Sequence, residues 1–168
     1  MATPASLQAA TGSSEYDSAM SRAGRFLTLK ARTEHEVRDK LTGAGFDSEV
    51  VDRVLDRLIE MKLVDDVDFA RSWVKERMRK KGSGPQVLVA ELETKGIDRV
   101  VIDEIVGAAF PDESLRAREV AAGLLPKWSG LPLEKQASRL AGALARKGFS
   151  SEAVQDGLKA VLPPEGWD

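Results

Sequence analysis

The fold of this 168-residue chain is decided by the stretch Asp65-Asp66-Val67-Asp68-Phe69-Ala70-Arg71-Ser72-Trp73-Val74-Lys75-Glu76-Arg77-Met78-Arg79-Lys80-Lys81-Gly82-Ser83-Gly84-Pro85. Its opening carboxylates suit the N-cap and first turn of a helix, because negative charge there meets the positive end of the helix dipole. The helix should run to about Lys81 and end at Gly82. Pro85 is favoured at the first position of a following helix. The stretch therefore predicts two helices separated by a glycine turn.

A corner pattern at the end of the second helix occurs three times in the chain. A leucine, three variable residues, a glycine and an apolar residue appear at 41–46, 92–97 and 144–149, with the glycines Gly45, Gly96 and Gly148. Glycine takes the left-handed position after a helix, and the next apolar residue packs back on the leucine. A period of about 50 residues is typical of a repeat array. The sequence therefore predicts tandem three-helix units.

The predicted fold class is all-α, with nine helices and no convincing strand. We expect a disordered N-terminal tail over residues 1–17, repeats over 18–64, 65–110 and 111–162, and a C-terminal tail over 163–168. Units of this size bury little surface alone and should lean on their neighbours, which predicts an elongated, curved array. Three helices with a tight corner also describe a helix-turn-helix DNA-binding unit, so the repeats are helix-turn-helix-like and this alternative stays open.

The composition narrows the class of protein. The chain has 25 basic and 27 acidic residues and a net charge of −2, whereas proteins that bind DNA mainly through phosphate contacts usually carry a basic excess. It has no cysteine, hence no disulfide or thiolate metal site. No apolar run approaches the ~20 residues of a membrane span, and the N-terminus lacks a secretory pattern. We expect a cytoplasmic protein.

No pattern in the chain points to catalysis. His35 is the only histidine and lies in the opening turn of a charged helix that Thr33 and Glu36 begin as a capping box. Asp66 and Asp68 stand where helix caps belong, so we interpret them as caps and not as metal ligands. Gly82-Ser83-Gly84 follows a helix and lacks the strand and spacing of a phosphate loop. The sequence predicts no enzyme, no cofactor and no metal.

The basic run is the strongest functional signal. A helical wheel puts one set of residues on a buried side, namely Phe69, Ala70, Trp73, Val74 and Met78. On the opposite face it puts Arg71, Lys75 and Arg79, with Lys80 and Lys81 in the last turn. Such a row of cations binds phosphates or an acidic protein surface, and the alternative is an ordinary solvated helix face.

Arg77 differs from these cations because it falls inside the apolar arc of the helix. An arginine there should pair with a carboxylate, either an Asp of the 65–68 cluster or Glu91 of the next helix. We interpret Arg77 as a structural residue, because removing one partner of a buried pair leaves an uncompensated charge.

Three motifs resemble one known family. They are Arg32-Thr33-x-x-Glu36-Val37-x-x-Lys40-Leu41, then Asp65-Asp66-x-x-Phe69-Ala70-x-x-Trp73-Val74-x-x-Arg77, and then Gly82-x-Gly84-Pro85-x-x-Leu88-x-x-Glu91-Leu92-x-x-Lys95-Gly96-Ile97. Their residue types, order and spacing are similar to those of the RecX family of bacterial recombination regulators. The resemblance extends over about Arg22 to Val161, and the middle motif is its most specific part.

The resemblance implies a function that spacing alone does not. A RecX protein would consist of tandem three-helix repeats, bind RecA, lie in the groove of its nucleoprotein filament and restrain strand exchange and ATP hydrolysis. It would thereby act in homologous recombination, DNA repair and the SOS response. We expect a set of cations in the basic run to face the filament, namely Arg71, Lys75, Arg79, Lys80 and Lys81, with direct DNA contact weak and the protein a monomer. A tandem helix-turn-helix protein acting on DNA directly is the alternative.

Overall fold

The structure is a computed structural model that describes the backbone of residues 4–164 and the side chains of residues 14–164. Within that part of the chain there are nine α-helices, one 3₁₀ turn and no strand, so the all-α prediction is confirmed. The helices are α1 Pro4–Leu29, α2 Glu34–Thr42, α3 Ser48–Glu60, α4 Asp66–Lys81, α5 Pro85–Thr94, α6 Arg99–Ala109, α7 Glu113–Leu124, α8 Leu133–Arg146 and α9 Ser151–Val161, with the 3₁₀ turn at Leu125–Trp128.

Side-chain caps begin most of these helices. Thr33 accepts a hydrogen bond from Glu36 N–H, and the Glu36 carboxylate accepts from Thr33 N–H, so the predicted capping box of α2 is confirmed. Cap oxygens also accept from the first turns of α3, α6, α7 and α9, at Asp47, Asp98, Asp112 and Ser150. These polar residues fix where each helix starts because they satisfy backbone N–H groups that have no partner within the helix.

The first helix begins earlier than the sequence pattern indicates. The apolar stripe predicts a start near Ser18, whereas α1 begins at Pro4. Two residues before the predicted start make tertiary contacts: Tyr16 packs against the core of α1–α3, and Glu15 accepts a hydrogen bond from Asp47 N–H at 3.0 Å. Residues 1–3 of the predicted N-terminal tail and 165–168 of the predicted C-terminal tail lie outside the described residues.

The three corner glycines have the predicted left-handed backbone. Their φ angles are +86° at Gly45, +72° at Gly96 and +89° at Gly148. After two of these corners the N–H of the apolar residue donates back to the corner leucine's carbonyl, from Phe46 to Leu41 and from Phe149 to Leu144. This is the hydrogen bond of a Schellman-type helix end, so the corner prediction is confirmed.

The chain divides into two compact units. The first contains residues up to Phe69 together with Lys95–Ile97, and the second contains Ala70–Thr94 and the residues from Asp98 onward. The first has a core from α1, α2 and α3 and the segment after α3, formed by Ala19, Ala23, Val37, Leu41, Val50, Val51, Val54, Leu55, Leu58 and Val64. The second has a core around α7, α8 and α9, formed by Ala117, Ala121, Leu140, Leu144, Phe149, Ala153, Val154, Leu158 and Leu162. No helix in the described chain is long and apolar enough to cross a membrane.

Candidate functional site

The candidate surface is the exposed side of α4, which we call the cationic face. Ala70 and Val74 of this helix are buried, and Phe69, Trp73 and Met78 are partly buried, as the helical wheel predicts. The exposed cations opposite them are Arg71, Lys75, Arg79, Lys80 and Lys81. Lys80 pairs with Glu76 one turn earlier. Among the described side chains no carboxylate lies within 4.0 Å of the other four cations, so their charge is available to a partner.

The acidic start of α4 has a structural role. The Asp65 carboxylate accepts a hydrogen bond from Asp68 N–H at 3.0 Å, as an N-cap does. The Asp66 carboxylate accepts from Glu34 N–H at 2.8 Å and so stabilises the start of α2 within the first unit. Burial raises the pKa of Asp66. The hydrogen bond from Glu34 N–H lowers the pKa, but the nearby negative charges of Glu34, Asp65 and Glu36 raise it further, so the net shift is upward. Within the described residues no group of three or more ligating side chains could hold a metal ion.

Arg77 lies between an aromatic ring and a carboxylate. Its Nε is 2.9 Å from Glu91 Oε2, and its guanidinium carbon lies 4.2 Å from the centre of the Trp73 ring. Trp73 Nε1–H donates to the same Glu91 oxygen at 2.7 Å. The Arg77 Nε–Glu91 contact is an ion pair whose angle does not suit a hydrogen bond, whereas the Trp73 bond is well aligned. Of the two partners that the sequence left open for Arg77, the structure has Glu91.

Lys95 forms a polar cluster with α2 that sequence reasoning missed. Its ammonium binds the Glu36 carboxylate, and its backbone carbonyl accepts a hydrogen bond from Thr33 Oγ1 at 2.8 Å. Burial raises the pKa of Glu36, but the bonds from Lys95 and Thr33 N–H outweigh it and leave the pKa below its ordinary value. Thr33 is wholly buried, so its hydroxyl needs both the bonds it makes.

The second unit contains an equivalent contact between a helix start and a corner. Gly84 N–H donates to Lys147 O at 2.7 Å, and Gln86 N–H donates to Gly148 O at 3.1 Å. In each unit, therefore, the beginning of one second helix (α2 or α5) rests on a Lys-Gly corner of the next repeat pattern. The repeated dipeptides Lys95-Gly96 and Lys147-Gly148 are the sequence signal that could have predicted this.

The two regions that carry the predicted motifs match models of known domains. Residues 19–58 match the model described as "RecX, first three-helix domain", and residues 65–105 match "RecX, second three-helix domain". A "Regulatory protein RecX" of Mycobacterium sp. (strain JLS) is 40% identical over 153 residues, covering 84% of this chain and 80% of the relative. The chain belongs to the RecX family.

Further RecX proteins are similar to this chain in sequence or in structure over most of their length. The regulatory protein RecX of Mycolicibacterium smegmatis is 37% identical over 150 residues, covering 84% of this chain and 78% of that protein. A solved structure titled "Crystal structure of regulatory protein RecX" superposes with a TM-score of 0.76 at 25% identity, covering 92% of this chain and 77% of the other. The family resemblance that the sequence motifs indicate is therefore confirmed.

Proposed function

We propose that this chain is a non-enzymatic regulator that binds RecA within its nucleoprotein filament and restrains the recombinase and its ATPase activity. It would thereby modulate DNA repair and recombination in the cytoplasm, acting as a monomer. Membership of a family whose relatives are named regulatory proteins supports this. The observation that carries the proposal is the cationic face of α4, where four cations have no carboxylate within 4.0 Å among the described side chains and the opposite side of the helix is packed.

Such a regulator needs no chemistry of its own. A protein that binds one state of a filament more tightly than another shifts the filament toward the favoured state, by as much as the difference in binding free energy. Cations arranged along one helix face can reach acidic side chains of a filament groove or the phosphates of the strand it encloses. The proposed regulation therefore depends on surface charge and on the rigidity of α4.

The test reverses three charges of the cationic face in one variant, Arg71→Glu, Lys75→Glu and Arg79→Glu. The matched control reverses three exposed cations elsewhere, Lys30→Glu, Lys135→Glu and Arg139→Glu. We expect the first variant to lose inhibition of RecA's ATPase on single-stranded DNA, and the control to keep it. Circular dichroism and thermal melting verify that both are folded. Full inhibition by the folded first variant would overturn the assignment of this face.

The second candidate function is direct action on duplex DNA. It is favoured by the same cations and by the helix–corner–helix geometry around Gly45. A protein of this kind binds duplex DNA without RecA, and its affinity falls steeply with salt according to the number of phosphates it contacts. Duplex binding with a steep salt slope and no effect on RecA would favour this candidate over filament regulation.

A further inference from the structure

A concave pocket in the second unit collects cations from both α4 and the α7–α9 region. The cavity measures about 340 Å³ and lies between the end of α4, α7 with its 3₁₀ turn, and Lys147 after α8. Pockets of roughly 300–1,000 Å³ are the size that holds small-molecule ligands or one building block of a polymer. We call it the basic pocket; its cations are Arg79, Lys80, Lys81, Arg116, Lys127 and Lys147.

The positive charge in the basic pocket is mostly unneutralised. Lys80 pairs with Glu76, and Arg116 pairs with Glu119 at 2.7 Å. In the part of the chain that the structure describes, no carboxylate lies within 4.0 Å of Arg79, Lys81, Lys127 or Lys147. Burial and the adjacent charge of Lys127 lower the pKa of Lys147.

Helix capping explains only part of this charge. Arg116 donates to Met78 O at 3.1 Å, and Lys147 donates to Lys81 O, so these two cations satisfy carbonyls at the end of α4. Capping does not account for Arg79 or for Lys127, which belongs to the 3₁₀ turn on the other wall of the pocket. Cations on both walls indicate a ligand that carries more than one negative charge.

Part of the pocket lining is apolar. Met78, Val120 and Leu124 line the pocket together with the cations and Gly82. Gly82 has φ +60°, and a Cβ there would lie 3.3 Å from Val120 and 3.7 Å from Lys147 Nζ, so a side chain at this position would occupy part of the pocket. A lining of cations and apolar side chains suits a molecule with charged phosphates and a less polar sugar or base.

We propose that the basic pocket binds the phosphate groups of a nucleotide, contacted by the four unneutralised cations, with the sugar or base against the apolar side chains of the lining. The nucleotide is either free or one unit of a single strand, since both present the same phosphate chemistry. The proposal deepens the proposed function because Arg79, Lys80 and Lys81 belong to the cationic face. It adds a second wall from Lys127 and Lys147, which that function does not require.

The test measures binding of the full chain to two probes at low salt. One is a fluorescein-labelled deoxythymidine oligonucleotide of about 12 nucleotides, followed by anisotropy, and the other is thymidine triphosphate, followed by calorimetry. The pocket variant is Arg79→Glu with Lys127→Glu, and the matched control is Lys135→Glu with Arg139→Glu, which makes the same charge change at exposed positions of α8 outside the pocket lining. We expect the pocket variant to weaken binding about tenfold or more and the control much less.

Each outcome decides a point. Binding of the oligonucleotide alone assigns the site to a strand, and binding of both probes with competition between them assigns it to nucleotides in general. No binding by the wild-type chain, or equal loss in both variants, overturns the proposal. If the double variant does not fold, Lys127→Gln against Lys135→Gln, both exposed positions, gives the same comparison. The assays contain no RecA, so a failure to bind either probe would contradict the nucleotide pocket without contradicting filament regulation. Probe binding without inhibition of RecA would support the pocket and contradict filament regulation.

Discussion

At the scale of single residues, Arg77 shows why a charged side chain stands in the apolar arc of α4. About a quarter of the side chain is exposed, as is that of Glu91, and the stacked Trp73 ring covers one side of the guanidinium. An ion pair with this degree of burial is screened less than a surface pair, and its loss would leave Glu91 with only the Trp73 bond. We therefore assign to Arg77 a role in joining α4 to α5.

The prediction for Arg77 concerns stability. Arg77→Ala should lower the free energy of unfolding by about 2 kcal/mol, because a charged partner of a part-buried carboxylate and a cation–π contact are lost together. Arg71→Ala, at an exposed position of the same helix, should change it by less than about 0.5 kcal/mol. Urea unfolding followed by circular dichroism measures both. Equal stabilities of the two variants would contradict the role assigned to Arg77.

The second residue prediction concerns pH and Glu36. Because its pKa is lower in the folded protein than its ordinary value of 4.5, Glu36 contributes stability above that pH and loses it as pH falls through the folded pKa. Glu36→Gln should therefore lower the free energy of unfolding by about 1 kcal/mol near pH 7, and the difference should shrink as the pH falls below 4.5 and through the folded pKa. Asp66 acts in the opposite direction, since its raised pKa favours its protonated form in the folded protein.

Unfolding curves of wild type and Glu36→Gln at a series of pH values provide the measurement. Asp39→Asn is a suitable control, since Asp39 lies on the same helix and is exposed. A difference between wild type and Glu36→Gln that stays constant from pH 7 to pH 3 would show that the Glu36–Lys95 contact does not stabilise the fold.

The sequence pattern predicted a carboxylate partner for Arg77 but none for Lys95. The position of Arg77 on the helical wheel requires a partner, and only few carboxylates are within reach along the chain. Lys95 finds its partner Glu36 at a sequence separation of 59, which no local pattern reveals. The helical wheel is a local pattern and predicted the α4 cations of the basic pocket. The contribution of Lys127 and Lys147 follows only from tertiary packing, which such a pattern does not show.

At the scale of elements, the corner glycines share a backbone conformation but differ in what surrounds them. A Cβ added at Gly45 would meet no atom within 4 Å. At Gly148 it would lie 2.5 Å from Val87 N, and at Gly96 it would overlap the His35 side chain. Gly45 is therefore needed for its φ angle alone, and the other two also for the close approach of a neighbouring helix start.

This difference predicts a graded series of alanine variants. Gly45→Ala should cost about 1 kcal/mol of stability, the strain of a left-handed non-glycine residue. Gly148→Ala should cost about 2 kcal/mol more, because the added methyl forces α5 and the corner apart and weakens the bonds from Gly84 and Gln86. Chemical unfolding of both variants is the measurement. Equal costs at the two positions would mean that the α5–corner contact does not contribute to stability.

The elements themselves were largely predictable. The helices from α2 onward begin at caps or at a proline, and most end near a glycine or a proline, which are local chemical signals. The end of α3 is an exception, because the left-handed residue after it is Lys62, with φ +58°. The start of α1 at Pro4 was not predictable, because the residues before Ser18 show no apolar period. The two matching family domains cover the first two predicted repeats, over residues 19–58 and 65–105, and the partition into three repeats stays a prediction from the pattern around Gly148.

At the scale of the whole molecule, the distribution of charge favours one of the two candidate functions over the other. The acidic and basic totals nearly balance, with a net charge of −2, while cations concentrate on α4 and around the basic pocket. A local basic surface on a balanced protein suits a partner that itself presents oriented charge, such as a nucleoprotein filament, better than bare duplex DNA. Raising the salt concentration should weaken both duplex binding and RecA inhibition, and duplex binding more, because charge pairs enclosed in a filament groove are screened less than exposed phosphate contacts. Parallel titrations would measure both.

The measurement that tests filament regulation most directly is the rate of RecA's ATP hydrolysis on single-stranded DNA while this protein is titrated in. A regulator that blocks filament growth, or whose effect spreads along the filament, should inhibit strongly at well below one copy per RecA. The folded charge-reversal variant of the cationic face should leave the rate unchanged in the same titration. An unchanged rate at stoichiometric wild-type protein, alongside measurable binding to duplex DNA alone, would contradict this function and favour direct DNA binding.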